Sequence, residues 1–185
     1  MASPQALTEA ERRVVAAWAA DCAERVLGIY AAEAPGDDLP RALIARTRAF
    51  AGGELSTAGE IRRRFEGGVG RGEVAGPAAL AAARAAGQAV AVCHMGAHAL
   101  GAAAYAALAV GLAQAERPRA RAEELDWQLE HMTAQVRDAL RALPPAGENR
   151  SGPLGPGLLT TGEVGAIVRE LQRRVAMMRD EGIAP

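Results

Sequence analysis

Apolar residues recur at three- and four-residue intervals along nearly the whole chain, and nowhere do they alternate with period two over a useful length. That pattern specifies helices. From Thr8 to about Glu33, the residues Val14, Val15, Trp18, Cys22, Val26 and Ile29 form one apolar stripe, opened by Thr8 and Glu11 at capping-box spacing. Asp21 and Arg25 border the stripe four residues apart, as an i,i+4 pair. Pro35-Gly36 breaks the pattern, Pro40 restarts it for a helix from Arg41 to Phe50, and Gly52-Gly53 ends it. Thr57 and Glu60 repeat the capping-box spacing ahead of a short helix carrying Ile61 and Phe65.

The stretch from Pro77 to Gln114 is almost pure Ala, Val, Leu and Gly, the composition of a helix enclosed by others. As one helix it would run roughly 54 Å at about 1.5 Å per residue, longer than its neighbours could cover. A kink or break is expected at Gly87 or Gly96. After the turn at Pro118, Ala122, Leu125, Leu129, Met132, Val136, Leu140 and Leu143 make a heptad seam that Pro144-Pro145 stops. Residues 144–159 form a Gly/Pro-rich strap. Residues 160–182 are a last helix, opened by Thr160 and Glu163 at capping-box spacing, with Val164, Ile167, Val168, Leu171, Val175 and Met178 on one face.

The expected fold is all-α: an antiparallel bundle of five to six helices around a long, kinked central helix, with residues 1–185 as a single helical domain. Half the residues are apolar, enough for one core. The net charge is −1, and every basic side chain is Arg, so the basic surplus of a nucleic-acid binder is missing. Aromatics at 3% leave no platform for stacking bases. The N-terminus has neither a basic nor an apolar signal region, and Arg84, Gln88, His94 and His98 interrupt the one run that could span a bilayer. The expectation is a cytoplasmic protein off the membrane, with Cys22 and Cys93 as small buried hydrophobes. The glycines from Gly67 to Gly72 lack the Lys-Ser/Thr of a phosphate loop and follow a helix, so they read as a surface connection. No motif asks for a cofactor.

Candidate chemistry lies inside the central stretch. Stepping by three or four residues from Arg84 passes Gln88, His94, His98 and Tyr105, a polar stripe along one helix face. His94 and His98 could chelate a metal only with a third ligand from another helix, Asp21, Asp126, Glu130 or His131, so no metal is assigned. Without a metal, either histidine could move a proton on a bound small molecule, with Asp21 or Asp126 orienting it. Trp18, Trp127 and His131, together with Arg84, Gln88 and Tyr105, are the candidate ligand contacts. All of these could instead satisfy one another as buried polar groups must. Cys93 beside His94 is a weak nucleophile candidate, because adjacent helical residues point apart.

Trp18-Ala-Ala-Asp21-Cys22-Ala-Glu24-Arg25, Arg84-Ala-Ala-Gly87-Gln88, His94-x-x-x-His98 running to Tyr105, and Asp126-Trp127-Gln128 together resemble the immunity-protein-five-like family of bacterial immunity proteins. The similarity covers residues 7–130. It implies a helical protein whose role follows from association with toxin systems. The family typically carries His at the position of Gln88 and continues a helix through Gly67 to Gly76, while the strap and last helix are an addition or a divergent tail. The resemblance therefore favours an immunity-like binding protein with an internal His/Asp site and a protein partner. The alternative from the residues is a small-molecule acid–base enzyme, a cyclase, isomerase or lyase acting on an apolar molecule through His94 and His98. A metal-dependent hydrolase is the third reading. The heptad seams also permit a homodimer.

Overall fold

The computed structural model of the chain describes residues 3–62 and 76–179. Among them are nine helices and no strand: α1 (Glu9–Arg25), α2 (Leu27–Glu33), α3 (Leu39–Ala51), α4 (Thr57–Arg62), α5 (Pro77–Ala91), α6 (His98–Ala113), α7 (Ala120–Glu130), α8 (Ala134–Arg141) and α9 (Gly162–Met177). The all-α bundle is thus observed, with more breaks than the apolar pattern announces. The glycine-rich connection from Gly67 to Gly72 lies outside the described residues.

Thr8 caps α1 as expected: its hydroxyl accepts the Glu11 amide, and the Glu11 carboxylate accepts the Thr8 amide at 2.7 Å. The other two expected boxes do not form. Ser56 precedes α4 and its hydroxyl accepts the Gly59 amide at 3.2 Å, while Glu60 turns inward to Arg46 at 2.5 Å. Ahead of α9, Thr160 spends its hydroxyl on the strap, donating to the Gly155 carbonyl at 2.8 Å, and Glu163 pairs with Arg121. The helix from Thr8 is interrupted at Val26, and the heptad seam is interrupted at residues 131–133, where Thr133 caps α8 by accepting the Val136 amide.

The central stretch is a hairpin of two antiparallel helices, α5 and α6, reversing at residues 92–97 with Gly96 in the turn. Gly87 stays helical within α5. The reversal is held by the N-terminal arm: the Gly96 amide donates to the Ala6 carbonyl at 3.1 Å and the Ala97 amide to the Gln5 carbonyl at 3.0 Å. Gly96 is required by this close approach, since a Cβ there would lie 2.5 Å from Leu7 Cδ1. Leu7 itself takes a left-handed backbone, φ 59°, to bring its side chain there.

α6 is the centre of the core. It packs on α5 most extensively and also on α1, α7 and α9, and Ala99 through Ala107 are all buried. Small side chains let the backbones approach closely on every side. α9 lays Val164, Ile167, Val168, Leu171 and Val175 into the same core, the face its periodicity marks. No helix among the described residues is long and apolar enough to cross a membrane.

Candidate functional site

Folding the central stretch into a hairpin turns the expected stripe into rungs between two helices. His98, at the start of α6, donates from Nδ1 to Oε1 of Gln88 on α5 at 2.7 Å. One rung further from the turn, the Arg84 guanidinium sits 5.8 Å from the centre of the buried Tyr105 ring. His94 lies in the turn, its ring centre 5.3 Å from that of His98 and tilted by 58°. Gly101 makes the space for this arrangement: a Cβ there would stand 2.5 Å from Gln88 Oε1 and 2.8 Å from Leu159 Cδ1.

Burial pulls the His98 imidazole down to about 3, and the neighbouring His94 adds to the effect. It is neutral at physiological pH, and with the amide oxygen of Gln88 facing it the proton resides on Nδ1. A group of such low basicity is a poor general base near pH 7. Burial likewise pushes the Cys93 thiol up to about 11, so it stays protonated although its Sγ is 3.9 Å from His94 Nδ1. Among the described residues, no three His, Cys, Asp or Glu side chains gather to hold a metal ion.

The proposed orienting carboxylates are engaged elsewhere. Asp21 does not pair with Arg25 but with Arg48 on α3, at 2.9 Å, and Asp126 pairs with Arg174 on α9, at 2.5 Å. Both are roughly half exposed, 43% and 58%. Trp18 is buried and donates from Nε1 to the Gln128 carbonyl at 2.9 Å, which makes it a bolt between α1 and α7.

Asp21, Trp127 and His131 do come together, at a second place on the surface. The Trp127 indole stacks on the His131 ring at 4.0 Å and 21°, while the Arg25 guanidinium covers it at 3.7 Å. His131 is fixed through Nδ1, 2.8 Å from the Trp127 carbonyl. Arg25 reaches across from α1 to Glu124 on α7, with Nε 2.9 Å from Oε2 and 3.1 Å from Oε1. Glu124 is 97% withdrawn from solvent, and Gln128 Nε2 donates to it at 3.1 Å and to the Ala103 carbonyl of α6 at 3.2 Å. A chain of contacts thus runs from the core of α6 to the half-buried indole. Sequence reasoning missed Glu124. Its signal is the spacing Glu124-x-x-x-Gln128, two polar residues four apart beside the apolar Leu125.

A groove opens on each side of Trp127. One, of ≈ 600 Å³, runs between α1, α6 and α7, and the other, of ≈ 380 Å³, lies against Asp21, Glu24 and Arg48; Arg25 and Trp127 line both. Neither is lined by His94 or His98.

Residues 5–135 match the family model described as Imm-5 like putative immunity protein. The chain belongs to this family. No curated protein and no solved structure matches it. The family region begins at Gln5, whose carbonyl holds the hairpin turn, and ends in the first turn of α8. It contains both the His98–Gln88 pair and the Trp127 ridge, and it leaves the strap and α9 outside.

Proposed function

We propose that the protein is an immunity-type binder that neutralises a protein toxin by occupying it, and that the His98–Gln88 pair serves the fold. The observation that carries this reading is the family match over residues 5–135. The site geometry supports it. The imidazole best placed for acid–base work is kept neutral by burial and committed to an amide on the facing helix. Asp21 and Asp126, its intended partners, spend their charge on Arg48 and Arg174. What faces solvent is a ridge of Arg, Trp and His side chains, residue types suited to holding a partner.

The test is co-expression with candidate protein toxins, including any encoded beside the gene. Growth rescue, together with a stable complex on size-exclusion chromatography, is expected. His98→Gln should retain full protection where its fold is intact by circular dichroism. Absence of both rescue and complex overturns the binding reading, and loss of protection in a well-folded His98→Gln variant overturns the structural role of the pair.

A further inference from the structure

We infer that the ridge formed by Arg25, Trp127 and His131, with the groove on either side, docks a cationic segment of the partner protein. This rests on the binding reading above and specifies where and with what chemistry the contact is made.

The ridge is assembled before any partner arrives. A guanidinium at 3.7 Å and an imidazole at 4.0 Å from the same indole are too bulky to share a face, so Arg25 and His131 cover opposite faces. Arg25 is fixed in turn by the buried Glu124, and His131 by the Trp127 carbonyl. An aromatic side chain locked from both sides loses little freedom on binding, which is how a few Trp and Arg anchors come to carry an interface.

Charge selects the occupant. Asp21, Glu24, Glu123, Glu124, Asp126 and Glu130 line the two grooves, against the guanidiniums of Arg25, Arg48 and Arg117. Those guanidiniums are already matched: Arg25 to Glu124, Arg48 to Asp21 and Glu24, and Arg117 to Glu123 at 2.8 Å. Asp126 is answered by Arg174 of α9, which leaves Glu130 and the second carboxylate on Arg48 as the surplus. Glu130 is exposed and has no ion pair among the described residues. The face is therefore net acidic, and Arg or Lys side chains of a partner gain from it in both affinity and association rate. A second copy of this chain is disfavoured, because a two-fold contact would set these carboxylates against their own counterparts. The segment that fits lays apolar side chains on Ile29 and Val110, which line the larger groove, and points its cations at Glu130 and its neighbours.

The probe is a displayed library of random linear peptides selected on the immobilised full chain, followed by calorimetric titration of the selected sequences. The expected pool is rich in Arg and Lys. Affinity should fall at least tenfold in Glu130→Lys and in Trp127→Ala, weaken as salt is raised, and stay unchanged in Glu148→Lys on the strap. A pool without cationic enrichment, an empty selection, or equal binding by Glu130→Lys overturns the inference. So does concentration-dependent self-association that Glu130→Lys changes, which would assign the face to a second copy. Toxin protection that survives both ridge variants sinks this surface but leaves the binding reading standing. Peptide binding without any protection sinks that reading and leaves the surface.

Discussion

His98 Nδ1 stands 2.7 Å from Gln88 Oε1, so one imidazole–amide bond ties the two arms of the α5–α6 hairpin beside its turn. Burial holds this imidazole at about 3, against 6.5 for an unhindered histidine. The unfolded chain therefore binds a proton between those two values that the folded chain refuses. Stability is complete above pH 6.5 and is lost as pH falls through the window toward 3. At pH 5 the loss from this group amounts to about 2 kcal/mol. Thermal denaturation across that range should show the midpoint falling with acidification, and His98→Gln should flatten the slope. A slope unchanged by the substitution would show that His98 is not the group responsible.

Gly101 faces the same pair, and a methyl group there would stand 2.5 Å from Gln88 Oε1 and 2.8 Å from Leu159 Cδ1. Ala is the better helix former by about 1 kcal/mol. Overpacking opposes this, costing about 1–3 kcal/mol where the neighbours are confined. Gln88 is confined by its bond to His98, and Leu159 is buried, so overpacking should win. Gly101→Ala is expected to lower the denaturant midpoint, and Gly101→Ala with Gln88→Ala should recover part of the loss. Greater stability in the single variant would mean that the amide moves freely.

The helical fold was legible because apolar period and capping chemistry are local: the Thr8–Glu11 box and the buried face of α9 follow from neighbouring residues alone. The hairpin was only half legible. Ala91 to Ala97 carries one glycine and no proline, and the chain reverses there because the Gln5 and Ala6 carbonyls take the amides of Ala97 and Gly96. No local pattern announces a partner some ninety residues away. The same limit explains the candidate site. Spacing set Arg84, Gln88, His98 and Tyr105 along one face of a single helix, whereas they meet as rungs across two, because the chain reverses between them. Asp21 and Asp126 were drawn off by Arg48 and Arg174, arginines whose positions only tertiary packing decides. The interruption at Thr133 was different, since a hydroxyl three residues before Val136 is a readable cap.

Gln5 deserves its own test because one buried amide serves the strap while its backbone serves the hairpin. Nε2 donates to the Ser151 carbonyl at 2.7 Å, and Oε1 accepts the Leu154 amide at 2.8 Å. Gln5→Ala strands both strap groups at a cost of about 1–3 kcal/mol each where water cannot replace the amide. The backbone bonds to Gly96 and Ala97 remain. Limited proteolysis should therefore cut the strap between residues 147 and 157 several times faster in the variant, while α5 and α6 keep slow amide exchange. Equal cleavage of variant and native protein would show that the strap holds without Gln5.

Arg25 and Glu124 test whether the ridge is a unit. The carboxylate is buried, with 3% of its side chain exposed, while its arginine is 37% exposed. Deleting the arginine leaves a buried charge with only the Gln128 amide to answer it. Solvent reaching the Arg25 side of the pair reduces the penalty below that of a fully enclosed one, so Arg25→Ala should cost about 1–3 kcal/mol. The loss also bares one face of Trp127, and indole emission should shift to longer wavelength. In Arg25→Met with Glu124→Gln, the stranded charge is gone and the methionine can still cover the ring. The double variant should regain most of the denaturant midpoint, giving strong coupling in a double-mutant cycle. Additive losses would mean that the two side chains act independently.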